Sequence, residues 1–355
     1  MPRFDHAALL AWFRANRREM PWRRRPAPYP VWISEIMLQQ TQVATVRPYF
    51  DRFLRRFPTV RALARAEEDE VLKAWEGLGY YARARHLRQA AREVVVNHGG
   101  RLPRDAAGLA SLPGIGPYTA AAIASICFGE RVPVVDGNVA RVCARLWLLE
   151  DDFRQAAPRA SLADALQPAL DATESAGDLN QAMMELGALV CRPRRPECGA
   201  CPLVAACRAR RRGCQADYPR RTAAPRVPER QAVAVVVRRG AAWLMVRRPG
   251  DGLLGGLWEL PGGGRQADEP PAQAARRGVR EQTGLEIEAE EAVEATLRHA
   301  FSHFTLVLQV IQARRNGGRL KAGGGAPARW VAPADIRRLP VATAHRKILA
   351  RLGLV

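Results

Sequence analysis

The apolar positions change rhythm once along the chain. Up to about residue 213 they recur at helical spacing, as in AALLAWFRAN (7–16) and in DEVLKAWEGLGYYARARHLRQAAREVVVNHGG (69–100), whose closing glycines suit a helix C-terminus. Over 215–230, QADYPRRTAAPRVPER, the periodicity is lost among prolines and arginines, the texture of a linker. Beyond it AVAVVV and AWLMVRR, separated by RRGA, predict a β-hairpin, followed by a glycine-rich loop, a helical segment and the strand FTLVLQV. The stretch NGGRLKAGGGAPA (316–328) reads as a flexible loop. The pattern therefore predicts a multidomain chain: an all-α domain over 1–214, a linker over 215–230 and an α+β domain over 231–355.

Three stretches of the helical half carry candidate chemistry. LPGIGPYTA (112–120), followed by AAIASICF, has the form of a hairpin between two helices over about 109–128. Gly114 and Gly116 would let backbone N–H groups face outward at a helix N-terminus, a phosphate-binding arrangement, although an ordinary helix–helix turn looks the same. In VPVVDGNVARV, Asp136 stands where a helix starts, as an N-cap. A capping carboxylate keeps a low pKa and stays ionised, which suits stabilisation of a cation. In VWISEIMLQQTQV, Glu35, Gln39 and Gln42 fall along one helical face, ordinarily a solvated one.

Charge adds a partner. Of 355 residues, 55 are Lys or Arg and 35 are Asp or Glu, a formal balance of +20 that points to a polyanion, while charge by itself decides neither fold nor activity. Lysines are scarce: Lys73, Lys321 and Lys347. No apolar run reaches membrane-spanning length and the N-terminal stretch has no cleavable apolar block, so a soluble, intracellular protein with no membrane partner is expected. Four of the seven cysteines, spaced Cys191-x6-Cys198-x2-Cys201-x5-Cys207, can be brought by one short loop to one metal centre, either zinc or an iron–sulfur cluster. Cys127, Cys143 and Cys214 read as core or surface residues.

The hairpin, the aspartate in VVDGNVARV and the cysteine spacing together resemble the endonuclease III superfamily of DNA glycosylases. SEIMLQQTQV, GLGYYARARHL and NQAMMELGALVC narrow the resemblance to the adenine DNA glycosylase family over about residues 5–215. It implies a [4Fe-4S] cluster, rather than zinc, on Cys191, Cys198, Cys201 and Cys207. It implies Glu35 as the acid that protonates the adenine ring, Asp136 as the stabiliser of the oxocarbenium-like sugar, and Tyr118 and Asn138 beside them in the catalytic site. Extrusion of the base implies wedges, matched by Gln40 and Tyr80, with Thr41, Leu78, Gly114 and Gly116 also on the DNA. Trp22, Arg23 and Gln181 match the adenine pocket. An acid that keeps its proton near neutral pH needs apolar walls, for which Trp22, Trp32 and Ile36 are candidates.

Relatives that also cut the backbone use a lysine two residues after the second hairpin glycine; here that position is Tyr118. Some members of the family carry a lysine just after DGNV, where this chain has Ala140. A monofunctional hydrolase is expected, the alternative being an endonuclease III-like glycosylase and lyase for oxidised pyrimidines. In the C-terminal half, Gly263, Glu269, Arg277, Glu281 and Gly284 follow the Nudix signature, but Gly278 and Gln282 stand where two of its glutamates belong, so the fold is expected without pyrophosphate hydrolysis. Phe301, Ser302 and His303 match the family's loop that inspects 8-oxoguanine. The whole reading is a monomer, cytoplasmic and nucleoid-associated, not secreted, acting on double-stranded DNA with adenine opposite 8-oxoguanine or guanine.

Overall fold

A computed structural model describes residues 4–24, 26–220, 227–250, 252–321 and 327–354. The chain begins with α1 (His6–Asn16), α2 (Pro21–Arg24), α3 (Pro28–Leu38), α4 (Val43–Arg56), α5 (Val60–Arg65), α6 (Glu68–Trp75) and α7 (Ala82–Asn97). It continues with α8 (Ala106–Ala110), α9 (Pro117–Phe128), α10 (Gly137–Trp147), α11 (Ala156–Asp171), α12 (Ala176–Leu189) and the short α13 (Arg208–Arg211). Then come β1 (Glu229–Arg239), β2 (Ala242–Arg247), β3 (Trp258–Glu259), β4 (Gly262–Gly264), α14 (Pro271–Thr283), β5 (Leu285–Ala289), β6 (Ala295–Ala300), β7 (Thr305–Gly318), β8 (Ala328–Val331), α15 (Pro333–Ile336) and α16 (Thr343–Arg351). No helix among the described residues is long and apolar enough to cross a membrane.

Two compact units result, one of Met1–Arg65 with Gln89–Ala224, the other of Ala66–Arg88 with Pro225–Val355. A division at residues 214/215 misses the inner segment, because charges tie α6 to the second unit: Arg247 reaches Asp69 at 2.7 Å and Arg346 reaches Glu76 at 2.7 Å. Of the expected linker, Gln215–Asp217 form a helical turn and Glu229 already belongs to β1, while 221–226 lie outside the described residues.

In the first unit the helical periodicity is used as expected. Leu9 and Phe13 of α1, Val139 and Cys143 of α10, Leu162 and Leu166 of α11, and Leu179 and Leu186 of α12 share one buried cluster. The hairpin of α8 and α9 is present, opened by Asp105 accepting from Gly108 N at 2.8 Å and turned by Gly114 at φ 75°. One expectation fails. Helix α3 stops at Leu38, Gln40 takes a left-handed backbone at φ 57°, and Gln42 caps α4, so Glu35, Gln39 and Gln42 do not share a helical face.

The second unit is a mixed sheet in the order β3-β2-β1-β7-β5, with β4 on β1, β6 on β7 and β8 on β2. The hairpin of β1 and β2 forms as expected, and β1 also runs parallel to β7 from Glu229↔Thr305 to Val237↔Ala313. The unbroken apolar run of β1 follows from having both faces covered: Val233, Val235 and Val237 pack with α14, and Ala234 and Val236 with α15 and α16. In the glycine-rich stretch expected as a loop, residues 316–318 continue β7, and 322–326 lie outside the described residues.

Candidate active site and cysteine cluster

A cavity of about 740 Å³ in the first unit gathers Glu35, Tyr118, Asp136 and Asn138, together with Trp22, Arg23, Gln181 and Thr41. Glu35 is supplied by α3, Tyr118 by the first turn of α9, and Asp136 by the N-cap of α10. Glu35 is 6% exposed, and its Oε2 has no hydrogen-bond partner among the described residues. Burial pushes its carboxyl up to about 7, assisted by the charge of Asp136 and opposed by the Tyr118 hydroxyl and the Arg23 guanidinium. Burial, with the charges of Glu35 and Asp136, pushes the Tyr118 phenol far up, so it remains a proton donor.

Asp136 accepts from Asn138 N at 2.8 Å, Val139 N at 2.7 Å and Asn138 Nδ2 at 2.7 Å. A depressed pKa was the expectation for such a cap. Instead burial outweighs these donors and the pull of Arg141, and the carboxyl lies above its ordinary value. The two carboxyls still differ in surroundings: Asp136 is ringed by three donors, whereas Glu35 Oε2 has no partner among the described residues.

The apolar wall differs in part from expectation. Trp22 lines the cavity, edge-on to Phe50 at 5.2 Å, with Met20, Val31 and Leu38, whereas Trp32 and Ile36 are buried elsewhere. Arg23 Nε donates to Gln181 Oε1 at 3.0 Å, and its Nη2 donates to Glu185 Oε2 at 3.0 Å. Glu185 also accepts from Arg18 N, Nε and Nη2 at 2.9, 2.8 and 3.0 Å, and these arginines hold it down at about 2 despite burial. The sequence reading missed Arg18 and Glu185. The signal was there: Glu185 follows Gln181 by one helical turn of α12.

Behind Asp136 a second arginine links two sites. Arg141, 6% exposed, donates to Asn138 Oδ1 at 2.8 Å, to Gly187 O at 2.8 Å and to Cys191 O at 2.7 Å. The glycine at 187 permits this approach, since a Cβ there would stand 2.6 Å from the Asn138 Cβ. Cys191, Cys198, Cys201 and Cys207 line one small cavity with Arg145 and Gln215. Arg145 Nη1 reaches Cys191 Sγ at 3.4 Å and Gln215 Nε2 reaches Cys198 Sγ at 3.6 Å, the kind of N–H···S contact that tunes a thiolate-held cluster. None of the seven cysteines forms a disulfide, and burial pushes the Cys201 thiol up to about 11. Among the described residues no three His, Cys, Asp or Glu side chains converge on a single metal ion. Cys143 is in the core, and Cys127 and Cys214 are half-buried.

The residues expected on DNA are placed unevenly. Gln40 is exposed, and so is Tyr80, at φ 48°, so both wedge candidates hold a backbone that side chains of their kind adopt at a cost. Leu78 is 5% exposed, so little of its side chain reaches the surface. Gly114 and Gly116 are exposed at the hairpin tip. Phe301, Ser302 and His303 form the tip between β6 and β7, with Phe301 stacked on Phe304 at 4.6 Å and the Ser302 hydroxyl hydrogen-bonded to that of Tyr80.

The altered signature in the second unit holds structure together. Glu269 is bound by Arg277 Nε and Nη2 at 2.8 and 2.7 Å, which pulls its carboxyl down to about 2. Gln282 Oε1 accepts from Gly262 N at 2.9 Å, and a Cβ at Gly278 would lie 2.4 Å from Gly262 O. A glutamate at 278 therefore does not fit this packing of α14 on β4.

Comparison with known proteins follows the same division. Residues 33–167 match the HhH-GPD superfamily of base excision DNA repair proteins, and residues 232–351 match the NUDIX domain family. The human adenine DNA glycosylase is 36% identical over 401 residues, spanning 96% of this chain and 72% of that protein. The adenine DNA glycosylase of Mycobacterium tuberculosis is 42% identical over 196 residues, 55% of this chain and 64% of that one. Among solved structures, a thermostable thymine-DNA glycosylase is 29% identical with a TM-score of 0.53, covering 58% of this chain and 95% of its own. An endonuclease III in a non-covalent DNA complex, 22% identical with a TM-score of 0.51, covers 59% of this chain and 94% of its own and shares the fold. With an acid pair in one cavity, a helical hairpin, a four-cysteine loop and a relative that matches 96% of this chain, the chain belongs to the adenine DNA glycosylase family.

Proposed function

We propose that the protein is a monofunctional adenine DNA glycosylase that hydrolyses the N-glycosidic bond of adenine opposite 8-oxoguanine or guanine in duplex DNA. The observation that carries this reading is the unequal pair in one cavity: Glu35 buried without a hydrogen-bond partner on Oε2, and Asp136 ringed by donors. Glu35, holding its proton near pH 7, protonates a ring nitrogen of adenine so that the base leaves neutral, and as a carboxylate it then activates water. Asp136 stabilises the positive charge that grows on the sugar, the division of roles known from glycoside hydrolysis. The Tyr118 hydroxyl, 3.4 Å from Met184 Sδ, stands close enough to Glu35 to lower its carboxyl, and Asn138 fixes the Asp136 carboxylate through its Nδ2.

Gly116 has an ordinary φ of −83° and open space where a Cβ would stand. Neither backbone conformation nor packing within the protein requires a glycine there, which supports close approach of a DNA phosphate to the N-terminus of α9. Gln40 and Tyr80 fill the gap left by the extruded base, and Phe301, Ser302 and His303 read 8-oxoguanine on the opposite strand. Four separate thiolates around a hollow suit a [4Fe-4S] cluster, in which each cysteine holds one iron. When bound, that group supplies the positive charge that keeps the loop's thiolates ionised. The protein acts as a monomer in the cytoplasm.

The test is single-turnover incubation with a duplex carrying one adenine opposite 8-oxoguanine. An alkali-labile site in the adenine strand is expected, and none would overturn the reading. Borohydride is expected to trap no covalent adduct, since no lysine is among the described residues lining the cavity. Equimolar iron and sulfide with broad visible absorption is expected of the purified protein, and zinc in their place would overturn the cluster assignment.

A further inference from the structure

Glu185 is a carboxylate with a side chain 1% exposed that nonetheless stays ionised, and the catalytic scheme above gives it no task. Its four accepted hydrogen bonds come from two arginines, three from Arg18 and one from Arg23. Arg23, Glu185 and Glu35 all line the same cavity. A cation in that wall favours the ionised form of Glu35, the opposite of what an acid catalyst needs, and Arg23 does pull the Glu35 carboxyl downward.

We propose that Glu185 is a positioning residue that serves as a buried counterion shared by Arg23 and Arg18, offsetting part of the cationic field at Glu35 and helping to aim the Arg23 Nε at Gln181. The proposal rests on the glycosylase reading. It explains why an arginine is tolerated beside an acid that must hold a proton: the guanidinium is kept for its geometry while part of its charge is offset by a carboxylate 3.0 Å away. The geometry has a second result. A guanidinium only donates, so the atom of Gln181 that meets Arg23 Nε at 3.0 Å is the oxygen, leaving the amide nitrogen to serve the cavity. That nitrogen makes a long bond of 3.3 Å to Gly177 O, so the wall offers a base N–H donors, which suit the acceptor nitrogens of adenine.

Other charged and titratable groups face the cavity, and of these Arg18 is itself bonded to Glu185 and shares in any change made there. Tyr118 and Cys127 face Glu35 from α9, and Asp136 from the head of α10. Arg17 and Arg18 before α2, Glu174 before α12 and Asp178 in the first turn of α12 line the same cavity.

The experiment follows the Glu35 carboxyl directly in the full chain labelled with 13C-carboxyl glutamate, its resonance assigned by its loss in Glu35→Gln. In Glu185→Gln the titration midpoint is expected to fall by about one pH unit, and the alkaline limb of adenine release to fall with it; Glu185→Asp should restore both. Arg23→Gln, with Glu185 in place, should move the midpoint the other way and covers the case in which Glu185→Gln does not fold. A midpoint unmoved in Glu185→Gln, or in Arg23→Gln, overturns the proposal, even if the rate drops uniformly with pH. Midpoints that move as expected in a protein that releases no adenine would sustain the counterion role and overturn the glycosylase reading.

Discussion

Glu35 in the first unit and Glu269 in the second are 6% and 7% exposed, yet one carboxyl is pushed up to about 7 and the other pulled down to about 2. Removal from water by itself favours the protonated form of both. What separates them is depth and company: burial is the leading influence on Glu35 and a lesser one on Glu269, and Glu269 accepts from Arg277 Nε and Nη2 while one oxygen of Glu35 has no partner among the described residues. The same residue type is thus a chemical group in one unit and a structural tie in the other, and depth together with the number of donors supplied by neighbouring elements decides which. Glu185 is a third case, a buried carboxylate tied to Arg23 in the wall of the cavity that holds Glu35.

The contrast can be broken from either side. The largest effect is expected from Glu35→Gln, which keeps shape and removes the proton: adenine release in a single-turnover assay should fall by about 10²–10⁴-fold. Asp136→Asn preserves a good N-cap, so the melting temperature should change little, while release falls by about 10²–10³-fold through lost stabilisation of the sugar cation. In the proposed mechanism the active form of the unaltered protein carries the Glu35 proton. The rate of release should therefore be flat below a midpoint of about 7 and fall about tenfold per pH unit above it.

On the other side, Gly278→Glu restores a signature residue but drives a Cβ into Gly262 O, 2.4 Å away. It should lower stability by about 1–3 kcal/mol, seen as a drop of several degrees in melting temperature, and should yield no pyrophosphate hydrolysis. The smallest effect is expected from Ser302→Ala, which removes one exposed hydroxyl. The preference for adenine opposite 8-oxoguanine over adenine opposite guanine should shrink by about two- to tenfold, measured as a ratio of rates.

Local features were legible because they depend on neighbours in the chain. The helical hairpin, the cap at Asp136 and the β1–β2 hairpin are set by turn and cap residues within a few positions, and each is where the pattern predicts it. The four-cysteine loop is equally local, and its sulfurs do line one cavity. The shared face of Glu35, Gln39 and Gln42 was not legible, because periodicity cannot report the left-handed backbone of Gln40 that ends α3. Trp32 and Ile36 were plausible walls by nearness in sequence, but their side chains pack away from the cavity that Trp22, Met20 and Val31 line. The division into units was also only half visible: α6 has ordinary helical periodicity, and its place is decided by Arg247 and Arg346, far along the chain.

By itself the sequence determined which residues can donate, accept or ligate, and the short-range turns and caps that present them, since these follow from side-chain chemistry and from backbone preferences over a few residues. Tertiary structure alone decided protonation. Whether Glu35, Asp136, Glu185 and Glu269 carry a proton depends on how much water is excluded and how many donors arrive from distant elements, and both quantities exist only once the chain is packed.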